Sequence, residues 1–222
     1  MVKDMDRKEE LISRIVEIEW QMFQGVSNIG GQAGCQQDHV TFEIMRSSQS
    51  MGWSEATLES YLDDLLETER TGRNLLTEKY ARMMERTSPL EYAGIKHLLP
   101  PLAPEVPPLI DEITTIVLEW EKELLHKYPY ILKRGRPINS SEDTPFVTSI
   151  ETYLRGELAT YSPRTLGLYR DNVLKLKDEG INGSEIILEH TMKRYGFGSL
   201  EDAHNRLKAQ SSGHQANPTS SD

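Results

Sequence analysis

The chain has 222 residues, 37% of them hydrophobic and 27% charged, which is enough to bury one sizeable core. Its 35 acidic against 25 basic side chains give a formal charge of -10, so its long-range field repels polyanions and argues against broad binding to nucleic acid or to anionic membranes. One cysteine cannot form an internal disulfide, the N-terminal MVKDMDRKEE has no apolar signal core, and no apolar run reaches the roughly 18–20 residues that span a bilayer; the expectation is a soluble, cytoplasmic protein.

Residues 8–24 place Leu11, Ile12, Ile15, Val16, Trp20, Met22 and Phe23 at steps of three and four, the period of an amphipathic helix. Glu19 falls on that stripe, so its carboxylate should face the interior and need a partner. A glycine-rich connection, 25–34, permits close backbone approaches. A second helix is expected over 38–50 with Asp38 as its N-cap. Ser54 can cap a third, with Leu58, Tyr61, Leu62, Leu65 and Leu66 on its apolar face until Gly72 interrupts it. The segment 73–86, RNLLTEKYARMMER, reads as helix, with Leu76, Tyr80, Met83 and Met84 on one side and Glu78 four before Arg82. Ser88, Pro89 and Glu91 supply the cap, first-turn proline and acid of a further short helix.

Five of the eleven prolines lie in 100–108, the strongest break in the chain. It is read as a rigid crossover within one domain of residues 8–210, because neither flanking half is well provided with core. Helix is then expected over 109–126. After it comes an ordered loop whose first part is basic: Lys127, Lys133, Arg134 and Arg136, with no acid between Leu124 and Ser141. The next helix, 145–161, puts Ile150, Tyr153, Leu154, Glu157, Leu158 and Tyr161 on one face, making Glu157 the second acid on an apolar stripe. Ser162–Pro163 and Ser184 mark two more starts, and Ser199 with Asp202 a last short one. Residues 1–7 are expected to be a flexible N-terminus, and the unpatterned tail 211–222 to be disordered. With no alternating strand pattern and no repeat, the fold class is all-α, a single bundle of about nine or ten helices.

The glycine loop is neither a dinucleotide fingerprint, since it follows a helix and not a strand, nor a P-loop, since no Gly-Lys-Ser/Thr closes it. Cys35, near Asp38 and His39, is read as a small buried thiol, because neighbours on a helix point in different directions. His39 and Glu43 share a helical face at metal-ligand spacing, but no paired Glu-x-x-His repeat accompanies them, so no metal ligand and no cofactor is assigned. No His carries an Arg four to six residues before it, which sets aside the helical ribonucleases that use that pair. Charges on apolar faces are the more specific pattern. Glu19, Lys79 and Glu157 mark either structural ion pairs or a polar pocket in which arginines recognise a carboxylate or phosphate.

Several segments resemble an uncharacterised helical family, DUF4125, known only as a domain of unknown function: W-x-M-F at 20–23, N-x-G-G-x-A-x-C-Q at 28–36, T-F-x-I-M-R-x-S-Q at 41–49, G-R-N-L-L-x-E-K-Y-A-R-M-M-E at 72–85, R-G-R-P at 134–137 and T-S-x-E-T-Y-L-R-G-E-L-x-T-Y-S at 148–162. The resemblance carries no activity. It implies frequent association with a nucleotidyltransferase-like domain, which this chain lacks. Gln32 stands where the family pattern prefers arginine.

Three functions are carried forward. The first is an enzyme that binds a small anionic or amino-acid-like metabolite between helices, with Glu19, Asp38, Glu78 and Glu157 as proton-transfer groups. Its binding residues are Asn28, Gly30, Gly31, Arg73, Lys79, Arg82, Arg134, Arg136, Arg155 and Tyr161. The second is a non-catalytic accessory module of a nucleotidyltransferase-like protein partner, in which the same charges are structural pairs. The third is a metal-dependent helical oxidase.

Overall fold

The computed structural model describes residues 6–27 and 34–213. Among the described residues the chain forms eleven α-helices, ten of them seven residues or longer, with three 3₁₀ turns and no strand. They are α1 (Arg7–Gln24), α2 (His39–Met51), α3 (Glu55–Thr71), α4 (Leu75–Thr87), α5 (Pro89–Ile95), α6 (Val106–Lys127), α7 (Pro129–Leu132), α8 (Ile150–Leu158), α9 (Pro163–Asp178), α10 (Gly183–Arg194) and α11 (Leu200–Gly213). The protein is all-α, as its periodicity requires.

Most helix starts are fixed by one short polar side chain that accepts from a first-turn N–H. Asp38, Ser54, Asn74, Ser149, Ser162 and Asn182 accept from the backbone of Thr41, Thr57, Thr77, Thr152, Thr165 and Glu185. Three of these differ from the expected starts: Asn74, Asn182 and Ser149. Asn74, not Arg73, opens α4, and Asn182 opens α10 while Ser184 is buried in its first turn. Helix α3 ends where Gly72 takes φ +71°, and the Arg73 N–H returns to Thr68 O at 2.9 Å, a turn that a Cβ would oppose.

The proline-rich stretch is shorter than the sequence suggests, because Pro107 and Pro108 form the first turn of α6, where no N–H partner is needed. The helix expected from residue 145 begins five residues later. Ser149 N–H donates to Asp143 Oδ1 at 2.5 Å and Thr144 pairs with Val147, so this backbone is held as a turn. The basic loop after α6 contains the short α7 and a 3₁₀ turn at Ser140–Glu142. The last helix is not short: it runs fourteen residues and takes in the start of the tail read as disordered.

Helix α1 packs on α2, α3 and α4; α6 packs on α8, α9 and α10; and α4 lies along α8. Side chains from both sides of the proline stretch share one core, in which Leu11, Ile15, Leu58 and Leu65 meet Ile113, Leu158 and Leu166. Trp53 anchors it, with the rings of Tyr61, Tyr161 and Tyr169 all centred within 5.8 Å of its own. A second apolar cluster, Leu124, Tyr128, Ile131, Leu200 and Ala203, seats α7 and α11.

Candidate functional site

The two acids on apolar stripes face the same cation. Arg46 of α2 donates through Nε to Glu19 Oε2 at 2.8 Å, through Nη2 to Glu19 Oε1, and through Nη1 it pairs with Glu157 Oε1 at 2.8 Å. Lys79 Nζ reaches Glu157 Oε2 at 2.6 Å. Gln49 Nε2 and the Tyr161 hydroxyl donate to Glu157 Oε1 at 3.0 and 3.1 Å, and the Tyr61 hydroxyl donates to Glu19 at 2.8 Å. Glu19 is fully buried, and Arg46, Lys79 and Glu157 are nearly so. Two acids and two bases therefore cancel inside the core, with every carboxylate oxygen occupied.

The protonation states follow from that arrangement. Burial pulls the Glu157 carboxyl up, but Arg46 and Lys79 more than reverse it and hold it well below the usual range. Burial likewise works against the Arg46 charge and is outweighed by Glu157 and Glu19, so its pKa stands well above the ordinary value. Burial, and then Glu19 for Tyr61 or Glu157 for Tyr161, pushes both phenols far up, so they are neutral donors at physiological pH.

A cavity of about 420 Å³ opens onto this network, within the size range of small-molecule sites, about 300–1,000 Å³. Arg46, Lys79 and Glu157 form its buried end, and Phe23, Phe42, Leu76, Tyr80 and Ile150 its walls. Phe23 and Phe42 stack at 5.1 Å. Exposed Cys35, Asp38 and Arg136 mark the outer end. Tyr153 links the two: Lys79 Nζ lies 3.5 Å from its ring centroid and the Arg136 guanidinium carbon 4.8 Å. Arg136 is itself steadied by donating to Thr148 O at 3.0 Å.

The family model described as "Protein of unknown function (DUF4125)" matches residues 9–205. The chain belongs to the DUF4125 family. No curated protein and no solved structure matches it. The matched span contains every residue that lines the cavity.

Within this DUF4125 chain, Asp38, Lys79, Arg136 and Glu157 are brought to one cavity, and Glu19 and Tyr161 stand behind it as partners of Arg46 and Glu157. Others are placed elsewhere. Arg73 grips Glu78 through two 2.8 Å bonds away from the cavity. Arg155 is held by Asp111 at 2.6 Å and Glu151 at 3.2 Å, and it shares a separate depression with Arg82. Arg134 is exposed and does not line the cavity. Asn28, Gly30, Gly31 and Gln32 lie outside the described residues.

Cys35 is exposed, not buried, because it sits on the 3₁₀ turn Gly34–Gln37, where Gln36 turns inward instead and donates to Phe23 O at 2.8 Å. Glu43 is paired with Arg194 at 2.9 Å, while His39 packs edge-on against Trp20. Among the described residues no three His, Cys, Asp or Glu side chains converge on a metal-sized site.

Arg46 and Gln49 are the residues that sequence reasoning missed. The signal was present but indirect: two acids on apolar stripes require buried cations. Arg46 was hidden because the buried face of α2 carries Ser47, Ser48 and Ser50 instead of large apolar side chains, and so shows no clear stripe.

Proposed function

We propose that this protein binds a small anionic or amino-acid-like metabolite in the cavity between α1, α2, α4 and α8. The observation that carries the reading is a ligand-sized cavity with aromatic and aliphatic walls whose buried end presents Lys79 and Arg46. Lys79 gives one N–H to Glu157 and turns toward the Tyr153 face, which leaves donor capacity for a ligand oxygen. Such a pocket suits a molecule with an apolar body and one carboxylate or phosphate. Glu19 and Glu157 serve it as fixed countercharges that position Arg46 and Lys79, since a carboxylate saturated by donors is a poor proton acceptor. Asp38, at the outer end, is the acid of the set that is exposed at the cavity.

That saturation favours a second reading, a non-catalytic binding or accessory module, of which a nucleotidyltransferase-like partner is one candidate. The two readings share the pocket and differ in turnover. Native mass spectrometry of gently purified protein tests the pocket: an added mass of metabolite size is expected. Calorimetry with phenylacetate, phenylalanine and phenyl phosphate as probes should show binding to at least one, weakened about tenfold or more by Lys79→Met through loss of a charged donor. Absence of both the added mass and any probe binding would sink the reading. Conversion of the co-purified molecule under the same conditions separates enzyme from module.

A further inference from the structure

Four arginines among the described residues are buried or half-buried: Arg46, Arg82, Arg155 and Arg170. Three carry acids at 3.2 Å or closer, namely Glu19 and Glu157, Asp111 and Glu151, and Glu112. Arg82 has none. Its Nη2 donates to the backbone oxygen of Pro100 at 2.7 Å, and its Nε is buried with no acceptor. A guanidinium taken out of water without a countercharge is costly, and a buried N–H without an acceptor adds to that cost. Burial accordingly lowers the Arg82 pKa; Glu78, itself gripped by Arg73, is the largest of the effects that oppose it, and Glu85 a smaller one.

Arg82 lines a depression of about 540 Å³ on the α4–α8 pair that is separate from the Lys79 cavity. Arg86, one turn further along α4, lines it too and has no ion pair among the described residues, and Tyr92 stands beside them. The acids in the lining are Asp111 and Glu151, both already held by Arg155, and Glu85, which is exposed. What the depression lacks is an acceptor with charge enough for two guanidinium groups.

We propose that this depression is a second binding site, for a phosphoryl group, with Arg82 as its anchor and Arg86 as its second donor. A phosphate dianion brings two negative charges and three oxygens to two guanidinium forks, where a carboxylate brings one charge and two oxygens. Glu85 at the rim opposes the ligand and keeps the site to a single phosphoryl group. The inference is independent of the ligand of the first cavity. Lys79 and Tyr153 face one side of the α4–α8 pair, and Arg82 and Arg155 line the other.

The full chain is titrated with inorganic phosphate and with phenyl phosphate at constant ionic strength, following the Arg82 Nε–H signal by NMR and the binding by calorimetry. A saturable shift of that signal is expected, with an affinity about tenfold or more weaker in Arg82→Lys, which keeps the charge and loses the fork. Arg86→Gln should weaken inorganic-phosphate binding, Glu85→Gln should tighten it, and Lys79→Met, which alters only the first cavity, should leave the phosphate-induced shift of the Arg82 Nε–H signal unchanged. A shift of the Arg82 signal that saturates at lower phenyl phosphate than inorganic phosphate identifies a phosphomonoester as the ligand of this site, and equal saturation identifies free phosphate. Circular dichroism melting confirms that each variant is folded. The proposal is overturned if no saturable shift occurs, if Arg82→Lys binds inorganic phosphate as the parent does, or if Lys79→Met abolishes the shift of the Arg82 signal, which would place the phosphate in the first cavity.

Discussion

Glu157 receives four donors, two from α2, one from α4 and one from Tyr161 just beyond α8, so its removal should be among the most damaging single changes in the chain. Glu157→Gln leaves Arg46 and Lys79 short of one buried countercharge, and a loss of about 3–5 kcal/mol is expected in chemical denaturation. The pH dependence has a definite sign. The Glu157 pKa is depressed in the fold, so its stabilisation is complete above the unfolded value of about 4.5 and is lost as pH falls toward the folded value. Denaturation curves of the parent should therefore weaken below about pH 4.5, and Glu157→Gln should flatten that decline. A variant with the parent's full acid dependence would show that another carboxylate governs it. Tyr61 and Tyr161 act in the opposite window. Their raised folded pKa values stabilise below the unfolded value of 10.0, and that contribution fades as pH rises past it. The sequence announced Glu19 and Glu157 because an acid among apolar residues interrupts a regular stripe. It did not announce Arg46, because serines surround it on a face with no stripe to interrupt.

At the scale of the helices, two contacts position the cavity. At Gly156 an added Cβ would lie 2.8 Å from Met83 Cγ and 3.1 Å from Lys79 O, so α8 can lie this close to α4 only through glycine. Gly156→Ala should push the two helices apart, lower stability by about 1–3 kcal/mol as overpacking does, and move Lys79 relative to Glu157. Unchanged melting together with unchanged probe affinity would refute it. Asn74 caps α4 and also donates to Met22 O at 2.7 Å, tying α4 to the end of α1. Asn74→Ala should therefore cost more in thermal denaturation than the roughly 1 kcal/mol of a cap alone. Caps of this kind were legible in the sequence at Asp38, Ser54 and Ser162, where one polar residue precedes an apolar period. At Asn182 the nearby Ser184 offered an equally good local start, and at Asn74 the helical pattern ran back into Arg73 and masked the cap. At 145–149 the helix pattern extended past its real beginning, because apolar spacing does not register the Asp143 contacts to Ser149 and Thr152 that hold the turn.

For the whole molecule, the balanced buried charges can be separated from stability. A fourfold variant, Glu19→Gln, Arg46→Met, Lys79→Met and Glu157→Gln, removes all the charges while keeping oxygens for the two tyrosines. It should melt closer to the parent than Glu157→Gln does, because replacing a whole buried ion network by neutral groups is often near neutral while breaking it is not. It should also lose the ligand of the first cavity. A fourfold variant less stable than the single one would mean that the network is needed for folding itself. No helix among the described residues is long and apolar enough to cross a membrane, and the charges that matter most are inside the fold.

The division between sequence and fold has a physical cause. Hydrophobic period, short polar caps and paired prolines act within a few residues, so the chain by itself determined an all-α protein, most of its helices and the two buried acids. Which cation meets which acid depends on how helices cross. Only the tertiary structure decided that Arg46 and Lys79 join Glu19 and Glu157 at one cavity, that Arg155 and Arg82 face another depression, and that Cys35 is exposed. A charged side chain carries no mark of its distant partner until packing brings the helices together.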